Sequence, residues 1–273
     1  MNKNSDRCRE ERDMQARVND VLIHYELEGP EDAPLITMSH SLAANLEMWN
    51  VQIPVLRDRY RILRFDTLGH GSSSAPPGPY TIEMLAAETI GLLDHLAIRR
   101  THFVGLSMGG MIGQVLACSY PDRIEKLVLC DTTACVPPEM TPIWDERIRA
   151  VEADGMSALA EQTLERWLSD GFRRNHPDIT AWIRNMILHT PVMGYVGCSR
   201  AISTFDILDE LSKVAAPTLI IAGEKDESTP VSAARAIQER IRGSELAVIP
   251  GALHLSSIEA ADFFNSRLTS FLN

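Results

Sequence analysis

The sequence predicts an α/β fold in which a mostly parallel central sheet carries helices on both faces and a helical lid is inserted into it. Two observations predict the sheet: short apolar runs alternate with helical patterns, and several runs are continuous in valine, isoleucine and leucine. Such continuous runs are typical of parallel strands that are covered on both faces. A third observation predicts the insertion, because residues 134–214 contain helical patterns and no convincing strand.

The predicted elements follow the apolar pattern in chain order. Strands are predicted at Val21–Leu27, Leu35–Met38, Arg61–Phe65, Thr101–Leu106, Lys126–Cys130, Pro217–Ala222 and Glu245–Ile249. The segments between them carry apolar residues at helical spacing and predict helices at Leu46–Arg57, Ile82–Leu96, Ser107–Ser119, Val231–Ile241 and Ser257–Phe271. Because strands and helices alternate, we expect a doubly wound sheet.

Two of the helix starts carry capping signals. Thr229 precedes Pro230, which places an N-cap hydroxyl just before a proline in the first turn. Ser256 is followed three residues later by Glu259, which is the pattern of a capping box. Both signals predict a helix that begins soon after a strand.

The predicted organisation is one α/β core with an insertion. We expect a flexible tail over residues 1–16, a core formed by residues 17–133 and 215–273, and a helical lid over residues 134–214. A separate helical domain is the alternative, but the chain returns directly to a strand at Pro217, which favours an insertion. Open α/β sheets bind ligands at the carboxyl ends of their strands, which is where a lid would lie.

Composition narrows the classes of partner. The 273 residues are 45% hydrophobic and 23% charged, as in soluble globular proteins, and the net charge is −11. An acidic chain does not favour nucleic acids or anionic membranes, and no apolar stretch approaches the length of a membrane span. Residues 1–16 lack the apolar core of a signal peptide. We therefore expect a cytoplasmic protein with no nucleic-acid or membrane partner; a homo-oligomer is compatible with the sequence.

Two further patterns argue against a metal ion and a nucleotide cofactor. The five cysteines are odd in number and have no C-x-x-C spacing, which predicts reduced thiols and no zinc site. The loop from Asp66 to Ser74 is rich in glycine, but a proline-rich segment follows it where a phosphate-binding loop would open a helix. We expect this loop to be structural and the protein to need no cofactor.

The strongest chemical motif is Gly105-Leu106-Ser107-Met108-Gly109, which directly follows a predicted strand. A G-x-S-x-G sequence at a strand end is the nucleophile-elbow pattern, in which a sharp turn exposes a serine hydroxyl. The glycines are needed because larger side chains on either side of the serine would clash in that turn. The motif alone also fits a serine in an ordinary glycine-rich turn.

A serine nucleophile needs a base and an acid that orients the base, in the chain order serine, acid, histidine. His254 lies between the last predicted strand and the last helix, where the base should fall, whereas the other histidines fit strand, helix or surface positions. Asp226 follows the strand that ends near Ala222 and is the favoured acid. Asp131, which follows the strand that ends at Cys130, is the main rival, and Glu224 is a weaker one.

Two backbone N–H groups should bind the oxyanion that forms during acyl transfer. One is that of Met108, the residue after the serine and the first of its helix. The other should come from the loop after the strand at Leu35–Met38, where Leu42 occupies the expected position. His40 in the same loop is then expected to brace the loop and not to act as a second base.

These motifs resemble the α/β-hydrolase superfamily, and more narrowly the 3-oxoadipate enol-lactonases, from Val18 onward. The narrower resemblance rests on short matches spread along the chain: Ser41-Leu42, Met48-Trp49, Arg64–Thr67, Gly78–Glu83, Gly105–Gly110, Gly155-Met156, Arg166-Trp167 and His254 followed by Ser257–Glu259. The resemblance implies a serine hydrolase of aromatic compound catabolism that cleaves a small lactone or ester, most closely an enol-lactone, through an acyl-serine formed by Ser107, His254 and Asp226.

The resemblance also implies substrate-binding roles for Trp144 and Arg147, which match the lid pattern; lid packing and a solvated charge are the alternative interpretation. One position departs from the pattern of the related lactonases, which tend to carry a basic residue where this chain has Cys135. The rival functions are a general carboxylesterase, a carbon–carbon bond hydrolase of ring-cleavage products, a cofactor-free perhydrolase and a non-catalytic ligand-binding protein. Leu106 weakens the case for a carbon–carbon bond hydrolase, since such hydrolases usually have asparagine before the serine.

Overall fold

The computed structural model describes residues 14–273, which form an eight-stranded sheet in the order β1-β2-β4-β3-β5-β6-β7-β8. The strands are β1 Met14–Val18, β2 Val21–Glu28, β3 Leu35–Ser39, β4 Arg61–Phe65, β5 Thr101–Leu106, β6 Ile124–Cys130, β7 Thr218–Gly223 and β8 Glu245–Ile249. The pairs β1–β2 and β2–β4 are antiparallel, and all other neighbours are parallel. The predicted α/β class and mostly parallel sheet are confirmed.

The helices outside the insertion form two packing groups with the sheet between them. They are α1 Ile53–Leu56, α2 Ile82–His95, α3 Met108–Ser119, α9 Val231–Arg240, α10 Ser256–Glu259 and α11 Ala261–Leu272. Helix α2 packs on α3, and α3 lies on β5 and β6, whereas α11 packs on α1 and β8. Strands β5 and β7, which have a neighbour on both sides, are buried along their whole length, which explains their continuous apolar sequences.

The predicted tail over residues 1–16 needs one correction. Residues 1–13 lie outside the described residues, but Met14 and Ala16 belong to β1, where they pair with Tyr25 and Ile23 of β2. Ala16 is fully buried and Val18 nearly so, while Gln15 and Arg17 are exposed. This alternation is the signature of a half-buried strand, and the charged residues that precede it mask the signal.

Two predicted helices are divided in the structure. The segment predicted as Leu46–Arg57 is a 3₁₀ helix over Leu46–Val51 followed by the single-turn helix α1. The last predicted helix is broken at Ala260, whose non-helical backbone, with φ −127° and ψ 48°, separates α10 from α11. Apolar spacing cannot distinguish one long helix from two short ones that bury the same face.

The inserted segment is helical, as its sequence predicts. It contains α4 Thr141–Asp154, α5 Ala160–Trp167, α6 Asp170–Asn175, α7 Pro177–His189 and α8 Val192–Ser203. Two backbone hydrogen bonds close its base, from Val136 N to Phe205 O and from Ile207 N to Ala134 O, both 2.8 Å long. The segment thus leaves and rejoins the core through one narrow neck, and among the described helices none is both long and apolar enough to cross a membrane.

Helix α8 rests on the core through two glycines. A Cβ placed on Gly194 would clash with the backbone of Gly69, and a Cβ placed on Gly69 would clash with Gly194. One turn further along α8, Gly197 lies against the ring of Tyr80. Glycine is required at Gly194 and Gly69 because the two backbones approach each other directly, and Gly69 also has a positive φ of 87°.

Candidate active site

Ser107 lies at the turn between β5 and α3 with φ 56° and ψ −114°, a conformation that is strained for any residue with a side chain. The turn is held on both sides, since Ser107 N donates to Cys130 O at 2.9 Å and Thr132 Oγ1 donates to Ser107 O at 2.7 Å. A Cβ on Gly105 would clash with the backbone of Gly109. The neighbouring strand and the glycine therefore hold the turn in its strained conformation.

Ser107 borders a cavity of about 620 Å³ between the carboxyl ends of the strands and the inserted helices. His254 and Leu42 also line it from the core, and Trp144 and Arg147 line it from the insertion. Its walls are mainly apolar side chains. A volume of this size accommodates a small organic molecule.

His254 is paired with Asp226 in the loops that follow β8 and β7. Its Nδ1 lies 2.7 Å from Asp226 Oδ2, and both side chains are almost completely buried. Asp226 also accepts hydrogen bonds from Ser228 N at 2.8 Å and from Thr229 Oγ1 at 2.6 Å. The pair is thus fixed in orientation by the loop that carries the acid.

The pair also shifts the titration of its two members. Burial raises the pKa of Asp226, but the charge and hydrogen bond of His254 and the bonds from Thr229 outweigh it, so the pKa falls below its ordinary value. Burial lowers the pKa of His254, and the Asp226 carboxylate outweighs that effect and raises it. The environment therefore favours the ionised Asp226 and increases the basicity of His254.

The two rival carboxylates are engaged elsewhere. Asp131 Oδ1 accepts from Gly223 N at 2.8 Å, and its Oδ2 accepts from Ser256 Oγ at 2.6 Å. Glu224 Oε2 accepts from Gly251 N at 2.8 Å and its residue is exposed. Of the three candidate acids, Asp226 is the one whose carboxylate contacts the imidazole of His254.

These contacts also correct both predicted helix caps. The hydroxyls of Thr229 and Ser256 donate to buried aspartates and cap no helix N–H, because a charged acceptor competes with the backbone donors. Glu259 accepts from Leu253 N and from Ser169 N, both at or near 2.9 Å, instead of closing a capping box. It thereby joins the His254 loop to the inserted segment.

The loop that carries Leu42 is held by two buried histidines, whose ring centroids lie 5.2 Å apart. His40 Nε2 accepts from Thr67 N at 2.9 Å, and His70 Nε2 accepts from Ala43 N at 3.1 Å. Burial, followed by the charge of His40, lowers the pKa of His70 to about 3, and burial also lowers the pKa of His40. Both rings are therefore neutral and can accept these bonds, which confirms the bracing role predicted for His40.

The insertion contributes two arginines to the cavity. The guanidinium of Arg147 stacks 5.0 Å from the ring of Trp144, and Arg166 donates from Nη2 to Thr163 Oγ1 at 3.1 Å. Within residues 14–273, neither arginine has a carboxylate oxygen within 4.0 Å. Burial and the nearby charge of Arg147 lower the pKa of Arg166 to about 10, so both side chains remain charged at neutral pH.

The sequence did not predict Arg166 in the site, although the dipeptide Arg166-Trp167 is one of the matches to the related lactonases. The missing information is tertiary: α5 turns this residue toward the cavity while the ring of Trp167 lies 6.4 Å from that of His254. Cys135 also lines the cavity, at the position where a basic residue was expected. Arg147 and Arg166 together supply positive charge from other places on the wall.

Comparison with known proteins agrees with this architecture. Residues 34–261 match the family with the alpha/beta hydrolase fold. The chain is 35% identical to 3-oxoadipate enol-lactonase 2 of Acinetobacter baylyi over 93% of its own length and 94% of that protein.

Two crystal structures are similar along almost the whole chain. The enol-lactonase from Burkholderia xenovorans LB400 has a TM-score of 0.92 and 38% identity, with 95% of this chain and 99% of that chain covered. A hydrolase from Pseudomonas aeruginosa PA01 has a TM-score of 0.91 and 38% identity, with 95% and 98% covered. This chain is therefore a member of the α/β hydrolase family, and its resemblance to the 3-oxoadipate enol-lactonases extends over nearly its whole length.

Proposed function

We propose that the protein is a serine hydrolase that opens a small, anionic lactone through an acyl-serine, with an enol-lactone such as 3-oxoadipate enol-lactone as its substrate. One observation carries the proposal: Ser107 and the Asp226-paired His254 border the same cavity as two arginines that have no carboxylate partner among residues 14–273. The relatives described above, which include enol-lactonases, support the same reaction class.

In the proposed acylation, His254 Nε2 takes the proton of Ser107 as Oγ attacks the lactone carbonyl carbon. The carbonyl electron pair moves to oxygen, and the backbone N–H groups of Leu42 and Met108 bind that oxyanion. Collapse of the tetrahedral intermediate breaks the ring C–O bond. An enol-lactone releases an enolate, which takes up the proton held by His254 and becomes a ketone. This departure is easy, and it leaves His254 neutral for the next step.

Deacylation repeats these steps with water as the nucleophile. His254 removes a proton from a water molecule that attacks the acyl carbon, and the oxyanion forms at the same two N–H groups. Collapse breaks the bond to Ser107 Oγ, which regains its proton from His254. The products are the free serine and a carboxylate, and no cofactor takes part in any step.

We assign the inserted helices the role of a lid that determines the substrate. Arg147, stacked on Trp144, is the proposed anchor for the substrate carboxylate, and Arg166 adds a second positive charge near His254. A guanidinium in an apolar cavity favours a carboxylate, because the charges attract more strongly where water is excluded. This pair takes the place of the basic residue that is absent at Cys135.

Steady-state hydrolysis of enzymatically generated 3-oxoadipate enol-lactone beside p-nitrophenyl acetate and butyrate tests the proposal. We expect kcat/KM for the lactone of about 10⁴ to 10⁸ M⁻¹s⁻¹, far above the values for both esters. Fast ester hydrolysis with a negligible lactone rate would instead identify a carboxylesterase for neutral substrates. Stoichiometric binding of the lactone without turnover would identify a non-catalytic member of the fold.

A further inference from the structure

A second buried carboxyl group lies beside the proposed Asp226–His254 pair, and the mechanism above does not use it. Asp131 directly follows β6, is 1% exposed, and has a positive φ of 42°. Its backbone N–H donates to Ile221 O of the neighbouring strand at 2.8 Å. A non-glycine residue in this conformation, with its carboxyl buried, requires contacts that compensate for the strain and for the lost hydration.

Those contacts lead to the segments that carry the acid and the base. One carboxyl oxygen accepts from the N–H of Gly223, three residues before Asp226. The other accepts from the hydroxyl of Ser256, two residues after His254. Asp131 therefore bridges the end of β7 and the start of α10, between which the Asp226–His254 hydrogen bond forms.

The turn that contains Asp131 also contacts the nucleophile. The hydroxyl of the next residue, Thr132, donates a hydrogen bond to Ser107 O, and a Cβ on Gly110 of α3 would clash with the Thr132 side chain. One short turn after β6 thus contacts the serine segment, the acid segment and the base segment together. No other turn at this edge of the described sheet has hydrogen bonds to all three.

We propose that Asp131 is a positioning residue. It connects the Asp226 segment to the His254 segment through two hydrogen bonds, and its negative charge acts on the imidazole of His254 without a direct hydrogen bond to it. This assignment rests on the proposed triad. Asp131 does not orient the imidazole itself, because the Nδ1 of His254 is paired with Asp226, whereas the oxygens of Asp131 bond to Gly223 and Ser256. It acts through the loops that hold Asp226 and His254.

The charge effect has a defined sign. Burial, and then the charge of Asp226, raise the pKa of Asp131 to about 7, while His254 and the bonds from Ser256 and Gly223 oppose them. The other titratable group that responds to it is the buried thiol of Cys130, whose pKa is raised by burial and by this carboxyl. Asp131 therefore ionises near neutral pH, and its negative charge stabilises the imidazolium of His254.

The same groups determine how His254 responds. Asp226 and Asp131 raise the pKa of His254, whereas burial and the charge of Arg166 lower it. Replacing Asp131 by a neutral residue removes one of the two raising charges. The His254 pKa should then fall, and the acid limb of the rate profile should move to lower pH.

Three variants separate the effect of the hydrogen bonds of Asp131 from the effect of its charge. Asp131→Asn keeps an oxygen for the N–H of Gly223 and a group that bonds to Ser256, but it carries no charge. Asp131→Ala removes both bonds, and Ser256→Ala removes one of them. Asp58→Asn is the matched control, since the side chain of Asp58 is 90% exposed.

Two readouts apply to each variant: the NMR titration of His254, followed through its Nδ1 proton, and kcat/KM for the best substrate across pH. We expect the His254 midpoint to fall in Asp131→Asn, with kcat/KM at pH 8 within about threefold of the native enzyme. In Asp131→Ala, kcat/KM at pH 8 should fall about tenfold or more, with KM nearly constant, because buried donors lose their acceptor. Ser256→Ala should lie between them, and Asp58→Asn should match the native enzyme.

The proposal is wrong if both Asp131 variants keep the native His254 midpoint and the native kcat/KM. It is also wrong if Asp131→Asn abolishes turnover while Asp226→Asn retains it, since Asp131 would then be the acid of the triad. If Asp131→Ala does not fold, Asp131→Asn and Ser256→Ala decide the question. A native protein that hydrolyses no lactone or ester would refute the proposed function, whereas the NMR titration would still test the effect of Asp131 on His254.

Discussion

The carboxyl edge of the sheet and the inserted helices form opposite walls of one cavity, but they are built in different ways. At the sheet edge, backbone geometry and buried hydrogen bonds hold each group, as the strained Ser107 and the neutral His70 illustrate. In the insertion, the groups that face the cavity are long side chains such as Arg147 and Arg166, which have few polar contacts. In the proposed function, the reaction depends on the rigid frame at the sheet edge, whereas substrate choice depends on side chains that can change without disturbing that frame.

The largest effect should come from the rigid wall. Ser107→Ala should lower kcat by about 10⁴ to 10⁶, because no other group supplies the nucleophile. The fold should persist, since the turn is held by backbone bonds that alanine retains. Steady-state kinetics and thermal unfolding check both expectations, with the exposed Ser212→Ala as the control. Residual turnover near the native value would show that the serine of the elbow is not the nucleophile.

The next effect compares the two buried aspartates of that wall. Asp226→Asn should lower kcat by about 10³ to 10⁴, because an amide cannot hold His254 in the tautomer that accepts the serine proton. Asp131→Asn should lower kcat far less, because asparagine can still bond to the N–H of Gly223 and to Ser256. Measuring kcat for both variants on one substrate makes the comparison direct. Near-native activity in Asp226→Asn with collapse in Asp131→Asn would move the acid to the strand before it.

The flexible wall should give a smaller and more selective effect. Arg147→Met should raise KM for the anionic lactone by about ten- to a hundredfold, the size expected when a charged hydrogen bond is lost. Turnover of the neutral ester p-nitrophenyl acetate should change little. Arg149→Met, on the exposed face of the same helix, is the matched control. Equal losses on both substrates would mean that Arg147 supports the fold of the insertion and does not bind the carboxylate.

The smallest predicted effect is the pH dependence of the base. His254 must be neutral to accept the serine proton, and its pKa is raised above the ordinary 6.5. The value of kcat/KM should therefore fall as pH drops through a midpoint above 6.5, by about tenfold per pH unit below it. A pH profile of the native enzyme measures this midpoint. An acid limb centred well below 6.5 would contradict the pairing with Asp226.

The sequence predicted the rigid wall better than the flexible one, for a physical reason. The elbow serine, the histidine before the last helix and the positions of the core strands depend on local strain, glycine positions and strand patterns, which short motifs record. Strand β1 was missed because the charged residues before Met14 hide its alternation. The positions of Arg166 and Asp131 depend on how distant segments pack, which no local pattern contains.

The helix caps illustrate the same limit in detail. Thr229 and Ser256 have the residue type and spacing of caps, yet the hydroxyl of Thr229 bonds to Asp226 in its own loop, and that of Ser256 bonds to Asp131 from a segment that is distant in sequence. A cap signal reports what a hydroxyl can do locally, and a buried charge nearby offers it a stronger partner. Here, the hydroxyls that do not cap a helix are the ones that bond to the buried aspartates of the candidate site.

The glycine contact between α8 and the core separates positions where glycine is required from positions that only line the cavity. At Gly69 and Gly194, any side chain would push the inserted helices away from the sheet, so this seat must be kept for the cavity to exist. Trp144, Arg147 and Arg166 line the cavity and are not part of that contact. Substitutions at these three positions should therefore alter the cavity wall while the inserted helices keep their contact with the core.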